Sequence, residues 1–248
     1  MGKQPSTVAI ILAAGKGTRF QSDIPKVLQP IHQKPMLHYV IESVITAGVS
    51  TVCLVVGYNH EKVRESCRNF DVLYAYQPDQ LGTGHAVMCG VKTVTSLAPQ
   101  TSLILAGDCP LIQPQTLQRV LAHHHDSAAS ATVVTAMLPD AGSYGRIIRN
   151  TNQDLVAIRE ARDCSPQELA IREFNSGIYS LDTLDLQTSL DGLTTANNQS
   201  EYYLTDVIGL LSRRQKRITS VCIDNPDEVR GANTPAELAL LANLFPFS

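Results

Sequence analysis

The hydrophobic pattern opens with an apolar run at residues 8–12, too short for a mature helix and suited to a buried strand. Apolar positions then recur at helical spacing: Met36, Leu37, Val40, Ile41, Val44 and Ile45 predict a helix over 35–47, stopped by Gly48. A β-branched stretch at 51–56 predicts a second buried strand. Asn59 or His60 opens a short helix running to Arg68, and 72–76 reads as a third strand. The alternation continues with a loop at 77–84, a helix at 85–94, a strand at 102–105, a helix at 114–125 and a strand at 131–137. Strands and helices alternating across short connections predict an α/β fold with a doubly wound, mostly parallel sheet. Ligands of such sheets sit outside the carboxyl ends of the strands. That rule places the loop at 12–26, the loop at 77–83 and Asp108 on one rim.

From Asp140 the texture changes. Residues 144–150 and 155–160 read as paired strands around a polar turn at 150–153. A strand at 174–181, an amphipathic helix at 201–213, a strand at 218–223 and a helix at 234–244 follow. This half is expected to cover the sheet edge and complete the pocket without folding separately. The expectation is one domain over 1–248, with a core at about 7–139 and a covering part at about 140–248. Arg213, Arg214, Lys216 and Arg217 lie at a helix end, where cations complement the dipole, and read as a solvated terminus.

Composition narrows the class. A chain of 248 residues with 44% hydrophobic and 17% charged residues can bury a proper core. A formal net charge of −3 argues against broad nucleic-acid binding, which needs a basic face. Cys53, Cys67, Cys89, Cys109, Cys164 and Cys222 form no C-x-x-C pair and read as buried free thiols in a reducing compartment. No apolar run approaches the length of a membrane span, so no membrane partner is expected. Lys3 ahead of residues 8–14 faintly mimics a signal peptide, but the run passes straight into Gly-Lys-Gly-Thr-Arg; a cytoplasmic location is expected.

The loop at 12–26 carries the first chemistry. Gly15 and Gly17 let the backbone turn tightly and approach a ligand, and successive N–H groups in such a turn form an anion-binding concavity. Lys16, Arg19 and Lys26 around it, in an acidic chain, point to a polyphosphate. Two better-known phosphate loops fail. Walker A requires Gly-Lys-Ser/Thr, but Gly15-Lys16 is followed by Gly17, and the dinucleotide fingerprint has Phe20 at its third glycine. Asp108, after a strand and Gly107, can hold a hard cation beside phosphate oxygens or cap the next turn. Gln77 and Gln80 flank a tight loop with Gly82 and Thr83, and an amide offers both donor and acceptor to a base edge. His123, His124 and His125 point about 100° apart on a helix and cannot converge on one metal; they read as an exposed helix face. His85 is either part of a helix start or a phosphate contact. Cys109 and Cys164 lack a paired histidine, and no serine sits in a G-x-S-x-G elbow.

In order, the runs LAAGKGTRF, DIPKVL, QPDQLGTGHA, AGDCPLI, SYGRI, REARD, FNSGIY, EYYLTD and GAN resemble the sugar nucleotidyltransferases. Within them the resemblance is to the uridyltransferase domain of bacterial bifunctional N-acetylglucosamine-1-phosphate uridyltransferase/glucosamine-1-phosphate acetyltransferases, over about residues 8–244. It implies a Rossmann-like sheet of nucleotide-diphospho-sugar transferase type with a small C-terminal substrate-covering region. It also implies backbone contacts to the nucleotide from Leu12, Ala13, Ala14 and Gly15, with Arg19 and Lys26 on the phosphates. Gln77, Gln80, Gly82 and Thr83 would hold uracil and ribose. Ala106 and Gly107 would line the site, and Asp108 and Asn233 would be Mg²⁺ ligands. Gly145, Glu160 and Asn175 match sugar-binding positions, with Tyr203 near them.

The resemblance also implies its limits. Some relatives carry an aromatic at the position of Ala106. The left-handed β-helix of hexapeptide repeats is not found before Ser248, so neither acetyltransfer nor the trimer built through that domain is expected. The implied reaction joins UTP to N-acetylglucosamine 1-phosphate, in-line at the α-phosphate. Three alternatives stay open: another sugar phosphate, CTP with an alditol or isoprenoid precursor, and a sugar-nucleotide-binding regulator without turnover.

Overall fold

The computed structural model describes residues 6–20 and 22–245; Lys3 and Gln21 lie outside the described residues. The first half runs β1 (Thr7–Ala13), β2 (Pro30–Ile31), β3 (Lys34–Pro35), α1 (Met36–Thr46), β4 (Thr51–Val56), α2 (His60–Ser66) and β5 (Leu73–Tyr76). It continues with α3 (Thr83–Val94), β6 (Thr101–Ala106), α4 (Pro114–Asp126) and β7 (Ala131–Met137). The second half holds β8 (Arg146–Arg149), β9 (Leu155–Arg159), α5 (Pro166–Leu169), β10 (Glu173–Asp182), α6 (Thr183–Leu190), α7 (Asp206–Arg213), β11 (Ile218–Cys222) and α8 (Pro235–Leu244).

The main sheet is ordered β11-β7-β10-β6-β1-β4-β5, with β8 attached to β10 and β9 to β8. β1 pairs in parallel with β4 and β6, β4 with β5, and β7 with β11. β10 is antiparallel to both β6 and β7. The mostly parallel α/β sheet read from the alternation is therefore present. Residues beyond 139 do more than cover its edge, because β10 lies inside the sheet and β11 extends it. An antiparallel strand at this position brings Asn175, near its start, to the rim where the parallel strands end.

Side chains alternate across the sheet with the strand period of two. Ala9, Ile11 and Ala13 join Leu37, Val40 and Ile41 of α1 and Leu117 and Val120 of α4 on one face. Val8 and Ile10 join Val87 and Val91 of α3, Leu186 of α6 and Val207 and Leu211 of α7 on the other. Each such fully buried Val, Leu or Ile contributes about 1.5–3 kcal/mol of transfer free energy, enough to override indifferent local propensity. A third cluster joins Phe20, Ile31, Met36, Leu111, Ala232 and Leu241, tying the end of the glycine loop to α8.

Four expectations need correction, and α6 is an addition to them. Ile45, assigned to the buried face of α1, is exposed. The helix expected over 201–213 begins only at Asp206. Backbone groups of its first residues are committed to the 81–84 loop: Tyr202 N–H donates to Leu81 O (2.8 Å), and Tyr202 O accepts from Gly84 N–H (2.7 Å). α6 follows a strand with no loop that would signal it; its cap is Asp182, whose carboxylate accepts from the Asp185 N–H. Among the histidines, His124 is buried and shares a 3.1 Å hydrogen bond with Thr132 Oγ1, whereas His123 is exposed and His125 reaches Thr101. Cys222 is exposed and Cys89 and Cys164 are half-buried, so only Cys53, Cys67 and Cys109 fit the buried-thiol reading; all six are free.

Burial, and then the neighbouring His125, pull the His124 pKa down from 6.5 to about 4. The unfolded chain takes up this proton near pH 6.5 and the folded chain does not until about pH 4, so stability from this group is lost as pH falls through that window. His124→Asn, which keeps a partner for Thr132, is expected to flatten the dependence of Tm on pH between 6.5 and 4. An unchanged slope would remove His124 as its source.

Candidate active site

β1 delivers the glycine loop to the carboxyl rim. Gly17 adopts φ +59°, and a Cβ there would stand 2.6 Å from Lys26 Cβ, so only glycine lets the loop close onto the lysine. The Phe20 N–H closes a turn on Gly17 O (3.0 Å), and its ring anchors the loop in the third cluster. Lys16 and Arg19 are exposed on the outer side of this turn.

β6 delivers Asp108, beside the loop. The Gly107 N–H donates to Leu12 O (2.9 Å), and a Cβ on Gly107 would meet that carbonyl at 3.0 Å, which fixes the two strand ends together. Asp108 is 7% exposed. Lys26 Nζ donates to Asp108 Oδ2 (2.5 Å) and to Asn233 Oδ1 (3.1 Å). Asn233 is held from behind, where Glu237 Oε2 accepts its N–H (2.6 Å) and Glu237 N–H donates to the cap residue of α8, Thr234 (3.2 Å). Burial, and then the Asp108 carboxylate, push the Cys109 thiol well above its ordinary pKa, and so leave it a poor nucleophile.

Two pockets open along this rim. The first, about 270 Å³, is lined by Leu12, Ala14, Gly15, Lys26, Val27, Gln77, Gln80, Gly82, Thr83, Ala86, Ala106, Asp108 and Glu201. Its loop is braced: Gln77 Nε2 donates to Gly82 O (3.2 Å) and Gln80 Nε2 to Gln77 O (3.3 Å). His85 Nδ1 lies 2.9 Å from Asp79 O, so this side chain is a brace of the loop, on the helix that starts at Thr83. The second, about 220 Å³, shares the Leu12, Thr83 and Ala106 wall and adds Gly145, Glu160, Asn175, Tyr179 and Thr205. Asn175 Nδ2 donates to Tyr179 OH (2.6 Å), and the Asn175 N–H to Gly145 O (2.8 Å). Burial raises the Glu160 pKa, opposed by the Thr205 hydroxyl, which donates to Oε1 at 3.0 Å.

Arg146 holds the approach to the second pocket from within. Its guanidinium is buried with carbonyls for partners: Ala141 O (3.4 Å), Gly142 O (3.0 Å), Tyr144 O and Leu169 O (3.4 Å). A buried charge satisfied this way fixes the path of residues 141–145.

Most of the residues singled out from the sequence converge on these two pockets. Ala13 and Gly107 lie buried beneath them, Arg19 stands outside on the loop, and Asn233 reaches the first through Lys26. Tyr203 lines neither: it is buried, and its hydroxyl accepts from Gln199 Nε2 (2.8 Å). The structure adds Glu201, Thr205, Tyr179 and Gly231. A Cβ on Gly231 would meet Asp108 Oδ2 at 3.0 Å, which explains the glycine of the GAN run. Glu201 and Thr205 belong to the EYYLTD run, but its helical spacing does not show that they line a pocket.

No helix among the described residues is long and apolar enough to cross a membrane. Residues 9–145 match the model for the MobA-like NTP transferase domain. The chain is 43% identical over 232 residues to a bifunctional protein GlmU of Carboxydothermus hydrogenoformans, covering 94% of this chain and 51% of that protein. It is 40% identical over 240 residues to one of Pelobacter propionicus, covering 96% and 52%. The chain thus spans about half the length of the curated relatives it matches. Its fold matches a UDP-glucose pyrophosphorylase solved with UDP-glucose, at TM-score 0.75 and 19% identity, over 96% of this chain and 97% of that one. With the family model covering more than half of its length, the chain belongs to the nucleotidyltransferases, in the family of MobA-like NTP transferase domains.

Proposed function

We propose that this chain transfers a uridylyl group from UTP to N-acetylglucosamine 1-phosphate, with Mg²⁺, releasing UDP-N-acetylglucosamine and pyrophosphate. The observation that carries the reading is the pair of pockets meeting at Leu12, Thr83 and Ala106. One is lined by the Gln77 and Gln80 amides and by the Lys26 and Asp108 charges, which suits a nucleoside triphosphate; its neighbour is small and sets Glu160, Asn175 and Thr205 in an otherwise largely apolar wall, which suits one sugar ring. About 40% identity to bifunctional GlmU proteins supports the choice of nucleotide and sugar.

In this reading backbone groups of Leu12, Ala13, Ala14 and Gly15 line the nucleotide, and Gln77, Gln80, Gly82 and Thr83 hold base and ribose. Gly145, Glu160 and Asn175 take the sugar, and Tyr203 stiffens the segment behind it. The nucleophile is a phosphate monoester with a second pKa of about 6, already anionic at neutral pH, so no general base is required. What the protein must do is bring two polyanions together and neutralise charge on the α-phosphate and the departing pyrophosphate. Lys26 reaches that pocket, and Arg19 stands on the flanking turn.

Asp108 Oδ2 and Asn233 Oδ1 are hard oxygens close enough for one cationic group to touch both, as Lys26 does, and that donor set fits Mg²⁺. Bound there, the ion would neutralise phosphate charge. Pyrophosphate release, measured with Mg²⁺, four nucleotides and a panel of sugar 1-phosphates, is expected to be fastest with UTP and N-acetylglucosamine 1-phosphate. No release with that pair would end this reading. Arg146→Met is expected to raise KM for the sugar phosphate about tenfold and KM for UTP less than about twofold, because the guanidinium positions only the sugar side. Equal rises would assign Arg146 to the whole site.

A further inference from the structure

The Lys26 ammonium lies between the two oxygens assigned above to a divalent cation, 2.5 Å from Asp108 Oδ2 and 3.1 Å from Asn233 Oδ1. Mg²⁺ sits about 2.0–2.1 Å from its oxygen ligands, so an ion held by both would claim the volume that Nζ fills. Two positive groups cannot share it. The ends of the lysine differ in freedom. Its Cβ is pinned against Gly17, and Lys26 opens a short 3-10 turn to Leu28. Its head is on a flexible four-carbon stem and lines the nucleotide pocket. The ammonium therefore has two sites within its reach, the oxygen pair and the phosphate groups of a nucleotide.

We propose that Lys26 is an internal competitor for the cation site: it holds Asp108 and Asn233 until a triphosphate draws it away, coupling divalent-cation binding to nucleotide binding. The proposal rests on the Mg²⁺ reading of Asp108 and Asn233. Coupling of this kind is reciprocal, so the cation strengthens nucleotide binding by the same factor as the nucleotide strengthens cation binding. Asp108 is the buried partner and Lys26 the more accessible one, with side-chain exposures of 10% and 20%, so the lysine is the member free to leave.

The test titrates Mn²⁺, as the probe ion, into the full chain without nucleotide and follows free Mn²⁺ by electron paramagnetic resonance. Lys26→Met is expected to bind Mn²⁺ about tenfold more tightly than wild type, within the usual range of site-to-site coupling. Arg19→Met removes a cation of the same loop that does not touch the oxygen pair, and is expected to stay within about twofold of wild type, as screening of exposed charges predicts. Adding Asp108→Asn to Lys26→Met is expected to abolish the gain. Equal affinity in wild type and Lys26→Met would overturn the competition while leaving the Mg²⁺ reading standing. An Arg19→Met gain as large as that of Lys26→Met would overturn it in favour of diffuse electrostatics. A Lys26→Met gain that survives Asp108→Asn would also overturn it, by placing the ion elsewhere. No Mn²⁺ binding by any folded variant would overturn both the competition and the metal reading.

Discussion

Asp108→Asn is expected to lower kcat for pyrophosphate release by about 1,000-fold, the scale of losing a preorganised charge in a water-poor site. Asparagine is nearly isosteric and can still accept from Lys26, so the backbone of the rim should be preserved. What disappears is the negative charge that, in the proposed mechanism, faces the divalent cation. Lys26 donates to the carboxylate at Oδ2, and Gly231 packs so close to that oxygen that an added Cβ would stand 3.0 Å from it. It has little freedom to be replaced by a neighbour. Steady-state kinetics together with thermal unfolding decide the matter. A rate within tenfold of wild type would remove Asp108 from the chemistry, and a collapsed Tm would make the loss a folding effect.

Gly82→Ala should be the most damaging single methyl in the nucleotide loop. Gly82 sits at φ +107°, a conformation L-residues rarely adopt, and the new Cβ would stand 2.6 Å from Tyr202 O and 2.9 Å from Glu201 Cβ. The first of these is backbone, which cannot swing aside as a side-chain tip can. Strain and collision together should cost about 2 kcal/mol or more. The expected readout is a lower denaturation midpoint at unchanged m, with a raised KM for UTP, because Gln77 bonds the Gly82 carbonyl. A variant as stable as wild type would mean that the 201–204 segment yields easily.

The first half of the fold could be read almost residue by residue. Strand 51–56 and strand 131–137 coincide with β4 and β7, because buried parallel strands write themselves as β-branched runs between turn residues. The second half resisted for a definite reason. Residues 201–205 have helical spacing, but the Tyr202 backbone bonds Leu81 and Gly84 and the Leu204 N–H donates to Thr83 Oγ1 across the molecule, and no local pattern records partners that far away. The same limit applies to the site. Glycine loop, glutamine loop and Asp108 announce themselves by type and by position at strand ends. Thr205 and Arg146 stand in the EYYLTD and SYGRI runs, but their parts, a hydroxyl on Glu160 and a buried guanidinium on carbonyls, follow only from what they touch.

The place of β10 has a consequence for how the molecule is made. β6 and β7 are consecutive strands, yet they are not hydrogen-bonded to each other; both are completed by residues 173–182. A nascent chain released only as far as β7 would leave one edge of β6 and both edges of β7 unpaired, on strands rich in apolar residues such as Leu103, Ile104, Val133 and Val134, which invite association with other chains. The ladder that closes the sheet joins residues about 40 to 80 positions apart, a long-range contact that sets a slow folding step. Chaperone demand during synthesis should therefore peak before residue 182 emerges and fall once it does.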